Sequence, residues 1–564
     1  MLAALTWPML FTTSGFGGDW EHHLWYVWRQ SLAIRADQAP SPFLNTSYSV
    51  LYPLYAFYGG TIYVIAGALS VVLGNSPLAA YVLSYLLGFL AAYGGWYWAG
   101  RIVGLGRWLA HGPALVFVSS AYYLTLVYGI GDWPEFLALS MLPLMIAAAL
   151  SVLRAEQLRV LPALALTVSS TVFFGSHVLT VLWACTLLGL IVVVVVTFVP
   201  EARLRIRRPG LRRVVVLVVP ALLVNAWFLA PMAAYASHTQ IGSQYDVATT
   251  LLREYMQFVS FRDLFTLSRA TTVPGRTGDA LCLPTLAMVW ALASIAILPW
   301  RARRGTWMRL LLIFAAATAG IVVLMTQEGL LLALPKPYTQ LEFSYRLEGY
   351  VLMGVAATVM SILVLAQSRS GGLRLWSWTI VPVLIFSTIG AIQQVSAYPR
   401  TPLPRSATLT YRGEIFAQKF DDYSYVPLPL ISAVHLPKLH IAPRAIHGNH
   451  VSFTAHVHPG QLVATNIGGG PDLLNVTGAS IAGTDEHGHL VLAVGSTASA
   501  GLTHPPTAVV SDVHVSISPA QSLPVVLGRL LAFAGVIVLL VGFLMLIARR
   551  GRAFTSSQRH FHRR

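Results

Sequence analysis

A few acidic, imidazole and guanidinium side chains interrupt an otherwise apolar chain, and they stand where it turns. In Gly17-Gly18-Asp19-Trp20-Glu21-His22-His23, a helix beginning at this point places Asp19 on one face with His22 and His23, at i+3 and i+4. A carboxylate beside imidazoles can serve as a general base or help hold a divalent cation. It can equally be a helix N-cap, with the histidines at an interface. The run Gly131-Asp132-Trp133-Pro134-Glu135 reads as a second helix start, with Pro just inside and Glu in the first turn. Capping alone would account for it, yet Glu135 opens an apolar helix, where an unpaired carboxylate is expensive and marks a functional position. His177 follows Gly175-Ser176 at another turn, and Arg346 precedes Leu347 and Glu348 at the start of a further apolar run. A guanidinium there suits phosphate, because its planar fork makes charge-assisted bidentate bonds and stays protonated. A snorkelling arginine paired with Glu342 or Glu348 would look the same in sequence.

The elements that must position these groups are set by solvent. With 56% hydrophobic and only 10% charged residues in 564, the chain carries more apolar surface than a water-soluble fold can hide. Apolar runs long enough to cross roughly 30 Å of hydrocarbon, about 20 residues each, occur at 78–100, 108–128, 134–153, 161–176, 178–199, 214–236, 280–300, 310–331, 347–367, 375–395 and 525–547. The apolar residues 1–12 read as a first helix shortened at its start, which brings the expectation to about twelve spans. The excess of 37 Lys+Arg over 21 Asp+Glu does not point to nucleic acid, because its members fall in every second connection. These are Arg101/Arg107, Arg154/Arg159, 203–213, 301–309, Arg369/Arg374 and 549–564. That pattern assigns those connections, and both termini, to the cytoplasm.

The opposite face then holds a long first loop, 15–77, the turn 129–133, the loops 237–279 and 327–346, and a large segment, 397–523. Within the first loop, 55–74 is apolar, but counting it as a span would invert the later helices. It is expected to be re-entrant or interfacial, with Tyr55, Phe57, Tyr58 and Tyr63 at headgroup level. Alternating runs at 450–457, 461–466, 489–494 and 508–517, separated by turn residues, predict a small antiparallel sandwich in the large outer segment. The expected organisation is a transmembrane domain over 1–396, an extracytoplasmic β domain over 397–523, a final helix over 524–548 and a basic tail over 549–564. Cys185 and Cys282 both lie in apolar runs, which leaves no disulfide framework and no cysteine-based metal site. Walker loop, Ser nucleophile elbow and HExxH are absent from the sequence, so no nucleotide, haem or flavin is expected.

The order of these features resembles the GT-C superfamily of polytopic glycosyltransferases. It resembles in particular the bacterial and archaeal membrane family labelled 6-pyruvoyl-tetrahydropterin-synthase-related, although no pterin chemistry is visible. The resemblance rests on Asp19 followed by His22 or His23, on Tyr52-Pro53-Leu54-Tyr55 with Tyr58, on Glu135 to Leu139 with Leu142-Pro143-Leu144, and on Ser176-His177. The stretch Gln340 to Leu347 is similar to a Gln-Phe-Pro-Trp-Arg segment, with Arg346 in the Arg place, although Glu-Phe-Ser-Tyr interrupts the pattern. What the resemblance implies is a GT-C-like fold and transfer of a sugar from a polyprenyl-phosphate-linked donor to an envelope glycan, lipid or protein on the outer face of a prokaryotic cytoplasmic membrane. It implies Asp19 as catalytic base or metal-positioning carboxylate, with Asp132 and Glu135 as a second acidic wall. Arg346 and His177 would clamp the donor phosphate, and His22, His23, Tyr52, Tyr55 and Tyr58 would border the substrates. A divalent cation, Mg or Mn, would fit beside the first-loop carboxylate.

Two other classes compete. A transporter or flippase for a lipid-linked saccharide would place ionisable residues at mid-depth, often in two related halves, whereas here they gather at the rim and no repeat of apolar segments is visible. A non-catalytic scaffold of envelope assembly would let the outer acidic residues be replaced freely.

Overall fold

The computed structural model describes residues 2–10, 14–36, 40–201, 208–240, 261–265, 284–297, 305–341, 344–368, 375–398, 401–402, 428–495 and 510–561. Seven helices among these are long and apolar enough to cross a membrane: Pro77–Ile102, Trp133–Arg154, Val178–Phe198, Thr306–Thr326, Ser344–Gln367, Ser377–Ala397 and Leu523–Ala548. A bent pair, Arg208–Leu223 with Ala226–His238, turns by 68° and makes an eighth if it is one broken span and not a re-entrant loop. At its break the Asn225 amide donates to the carbonyls of Ala221 and Thr171, at 2.9 and 3.1 Å. That satisfies backbone oxygens a bilayer could not.

The count therefore stops short of twelve among the described residues. The run expected at 108–128 is two short helices, His111–Val118 and Ala121–Tyr128, parted at Ser119-Ser120. There the Ser119 hydroxyl donates back to the Leu115 carbonyl at 2.7 Å, a bond that competes with the helical ladder. Val160–Phe174 and Thr285–Ile297 are shorter apolar helices, and part of the run expected at 280–300 lies outside the described residues. The first helix spans Leu2–Leu10.

The helices of the first loop fold inward onto the bundle. Helix Trp20–Arg35 buries Trp20, His23, Leu24, Val27, Gln30 and Ser31, a stripe at helical spacing. It packs on helices Gly60–Val72 and Pro77–Ile102. Gly67 lets the first contact close, since a Cβ there would sit 3.1 Å from the Ser31 amide nitrogen. Tyr55, Phe57 and Tyr63 are consequently buried in protein and not set at the headgroup level: the Tyr55 hydroxyl donates to the Tyr26 carbonyl at 2.8 Å, and the Tyr63 ring meets Trp133 edge-on.

The C-terminal β region holds a four-stranded sheet, ordered Lys438–Leu439, Leu462–Thr465, Leu490–Val494, Ala479–Thr484, and a three-stranded sheet, ordered Val451–Val457, Ser511–Pro519, Leu474–Thr477. All pairings are antiparallel except Lys438–Leu439 with Leu462–Thr465, which is parallel. Leu492 and Val515, one from each sheet, are fully buried in the shared core. The first loop ties onto this region: the Val50 amide donates to the Asn466 carbonyl at 2.8 Å, and the Gly468 amide to the Val50 carbonyl at 2.9 Å. A Cβ on Gly468 would meet the Tyr52 ring at 2.8 Å, so Tyr52 lies against the β region.

Candidate active site

Two glycine turns bring the first loop to the start of helix Trp133–Arg154. The Asp19 amide donates to the Ile130 carbonyl at 2.6 Å. Gly18 has φ +63, and a Cβ there would lie 1.8 Å from the Ile130 carbonyl oxygen. Gly131, at φ +74, faces the Trp20 amide, which a Cβ would approach to 2.4 Å. Only residues without a side chain allow the turns to interlock in this way. Gly18→Ala should therefore lower the unfolding temperature markedly, by an amount equivalent to at least about 1–3 kcal/mol, measured by thermal unfolding in detergent. An unchanged unfolding temperature would mean that the two turns do not interlock.

Asp132 performs two tasks at the helix start. Its Oδ1 accepts the Glu135 amide at 3.0 Å, as an N-cap does, while Oδ2 accepts from Arg346 Nη1 at 3.1 Å. Glu135, one turn in, accepts from the same Nη1 through Oε2 at 3.2 Å, and from the Tyr122 hydroxyl through Oε1 at 2.5 Å. His177 Nε2 is also 3.2 Å from Nη1, and its Nδ1 is 2.7 Å from the Thr180 hydroxyl. A guanidinium only donates, so Nε2 must be the bare nitrogen and Nδ1 the one carrying hydrogen. One cation thus gathers two carboxylates from one helix start and a neutral imidazole from another. Its own side chain is 14% exposed, and those of Asp132 and Glu135 are 5% and 2% exposed.

The first-loop groups lie near this cluster, since His23 feels the charges of both Asp132 and Asp19. The Asp19 side chain is 55% exposed, with Oδ1 3.3 Å from His22 Nδ1. Asp19 is the N-cap residue by position, but its side chain makes no capping hydrogen bond. His23 turns inward, is buried, and pairs its Nδ1 with the Tyr63 hydroxyl at 2.7 Å. The Tyr58 ring stacks on His23 and meets His177 edge-on, with centroids 6.1 and 6.3 Å apart, and its hydroxyl feels the charges of Asp132, Arg346 and Asp19.

Asp19, His22, His23, Tyr58, Asp132, Glu135, His177 and Arg346 are therefore brought to one place. Tyr52 and Tyr55 are not, the first lying on the β region and the second on the Tyr26 carbonyl. Glu348 does not pair with Arg346; it is fully buried, and neither carboxylate oxygen is hydrogen-bonded. Glu342 lies outside the described residues. Tyr122, Thr180 and Tyr63 were not anticipated as partners. His177-x-x-Thr180 at a helix start was a readable signal for Thr180, whereas nothing in sequence ties Tyr122 to Glu135.

Among the described residues no group of three or more His, Cys, Asp or Glu is placed to hold a metal ion. The acid pair does not fit one in this arrangement, since the Arg346 guanidinium stands between the oxygens that would have to coordinate it.

Charge and burial set a pH profile. Burial lowers His23 to about 4 against the pull of Asp132 and Asp19, and lowers His177 to about 4 against that of Asp132. Burial pushes Asp132 up, but Arg346, His177 and His23 outweigh it and the carboxyl stays below its ordinary value. Both histidines bind a proton more readily unfolded than folded. Their contribution is complete above about pH 6.5 and is lost as pH falls toward about 4, on the order of 3 kcal/mol for each. That of Asp132 disappears only below the ordinary carboxylate range. The unfolding temperature should fall steadily from pH 7 to pH 4, and His23→Gln should flatten part of the slope; a level profile in the wild type would contradict the buried, neutral histidines.

No family model matches the sequence, and no curated protein matches it. Solved structures similar to this chain include an oligosaccharyltransferase from Archaeoglobus fulgidus, at 15% identity and a TM-score of 0.44, covering 78% of this chain and 61% of that one. The arabinofuranosyltransferase AftD from Mycobacteria is similar at 16% identity and a TM-score of 0.38, over 72% and 26% of the two chains. ArnT from Cupriavidus metallidurans, bound to undecaprenyl phosphate, is similar at 12% identity and a TM-score of 0.29, over 89% and 98%. The chain thus spans 61% of the length of the oligosaccharyltransferase.

Proposed function

We infer that this chain is a GT-C-type membrane glycosyltransferase, moving a sugar from a polyprenyl-phosphate-linked donor to an acceptor on the outer face of the membrane. The observation that carries the reading is the Arg346 cluster: a nearly buried guanidinium held by Asp132 and Glu135, with the half-exposed carboxylate of Asp19 close enough that the Tyr58 hydroxyl feels the charges of both. In this scheme Asp19 takes the proton of an acceptor hydroxyl as the acceptor oxygen bonds to the anomeric carbon. The bond from that carbon to the phosphate oxygen breaks, and the lipid phosphate leaves with the electron pair. In this scheme Arg346 receives that charge, since a fixed cation where charge develops stabilises the transition state more than the ground state.

Asp132 and Glu135 hold Arg346 in place before the donor arrives, and Tyr122 keeps the far oxygen of Glu135 occupied. A donor phosphate would compete for the same guanidinium. With the acceptor oxygen attacking from one side, its proton passing to Asp19, and the phosphate leaving from the other, the anomeric configuration inverts. The β region, tied to the first loop at Val50, would frame the acceptor side.

The test is transfer of radiolabelled sugar from a panel of polyprenyl-phosphate donors into envelope glycan, lipid and protein fractions, using membranes that contain the chain. Transfer above that of membranes lacking it is the expected result. No transfer from any donor would move the assignment to transport or scaffolding.

A further inference from the structure

On the arginine-rich face of the membrane domain, away from the site above, the ends of four helices enclose a cavity of 1470 Å³. Arg154, Arg159 and Arg213 line it, against a single acid, Glu156. The positions of two of these arginines are fixed by backbone. Arg154 Nη1 donates to the Ile102 carbonyl at 2.7 Å, and Arg213 donates through Nη1 to the Ala155 carbonyl at 2.9 Å and through Nη2 to the Glu156 carbonyl at 2.8 Å. Arg159 stands at the N-cap of the fifteen-residue helix Val160–Phe174 and makes no side-chain cap bond, so the positive end of that helix also opens on the cavity.

The remaining wall is apolar, with Trp98, Leu161 and Leu546 among its residues. Leu161 is 71% exposed. Leu546 belongs to the span Leu523–Ala548, whose most apolar 18-residue window is only 6% buried inside the protein, which leaves that helix open to the acyl chains of a bilayer.

We propose that this cavity binds the phosphate headgroup of an anionic lipid, with the arginines and the helix start on the phosphate and the acyl chains along Leu161 and the final helix. Basic pockets between membrane helices recognise anionic headgroups by this combination of charge and apolar wall. A free phosphate ion would use the arginines but leave the apolar wall without a role. The proposal is independent of the sugar-transfer reading, since it involves none of the same residues.

The test uses the full chain in nanodiscs of phosphatidylcholine containing a minor fraction of phosphatidylglycerol, with lipid retained after detergent extraction measured by native mass spectrometry. Selective retention of one phosphatidylglycerol is expected, unaffected by added inorganic phosphate. Arg159→Gln should weaken that retention about fivefold, the effect of one surface cation on an anionic lipid, and Glu156→Gln should strengthen it. Arg154 and Arg213 also hold backbone, so their Gln variants are read together with thermal unfolding, and Arg159→Gln decides the matter if they fail to fold. Equal retention of phosphatidylglycerol by wild type and Arg159→Gln overturns the proposal. Displacement of the lipid by inorganic phosphate overturns it too, by assigning the cavity to a free anion.

Discussion

Arg346→Ala removes sugar transfer by at least about 10²–10³-fold, the usual loss when one preorganised charge is taken from a transition state, and it also destabilises the fold. The two effects have separate origins. In the proposed reaction, the lipid phosphate loses the cation that would receive its charge. Structurally, Asp132 and Glu135 are left buried at 5% and 2% exposure without the guanidinium they share. Breaking a buried ion pair from one side costs about 3–5 kcal/mol. Adding Asp132→Asn and Glu135→Gln to Arg346→Ala should restore much of the unfolding temperature, because the stranded charges are gone, and should restore no transfer. Arg346→Lys keeps a charge but replaces a planar fork with a compact ammonium, so stability recovers in part and transfer stays low. Transfer by Arg346→Ala within about threefold of wild type, well inside the loss expected of such a group, would remove Arg346 from the mechanism.

Asp19→Asn separates function from stability more cleanly. The side chain is half exposed, caps nothing and touches His22 at 3.3 Å, so its amide replacement should leave the unfolding temperature where it is. An amide cannot take the acceptor proton, and loss of a positioned general base lowers rate by about 10²–10⁴-fold. Matched membranes with wild type and Asp19→Asn, assayed for transfer of labelled sugar, give the comparison. Undiminished transfer by the variant would discard Asp19 as the base and leave the reaction to be organised around Asp132 and Glu135.

The sequence by itself pointed to the solvent, to most of the long helices and to several of the groups that meet at the candidate site. Composition required lipid, and lipid requires backbone satisfied within helices, so the long apolar runs could be read directly. Asp132-Trp133-Pro134-Glu135 announced a helix start because capping is local, decided within four residues. The alternating runs of the β region were legible for the same reason, as neighbouring side chains point to opposite faces of a strand.

Only the tertiary structure decided what those groups do to one another. Asp132 was readable as a cap or as a functional acid, and it is both, since its two oxygens serve different partners. Arg346 was expected on Glu342, Glu348 or a phosphate; it does not pair with Glu348 and instead meets Asp132, Glu135 and His177, which come from distant stretches and meet only when the bundle is packed. Tyr122 reaches Glu135 on the same terms. Tyr55 and Tyr63 were placed at the headgroup level because their types suit an interface, but the first-loop helix covers them. Tyr52 shares a motif with Tyr55 and Tyr58 but lies against the β region, because the chain passes from an extended bridge at Tyr52 into the short helix Leu54–Phe57 and so turns nearby side chains in different directions. Residue type and spacing fix local geometry through a few backbone angles, whereas partners brought from elsewhere are chosen by packing, which no local spacing encodes.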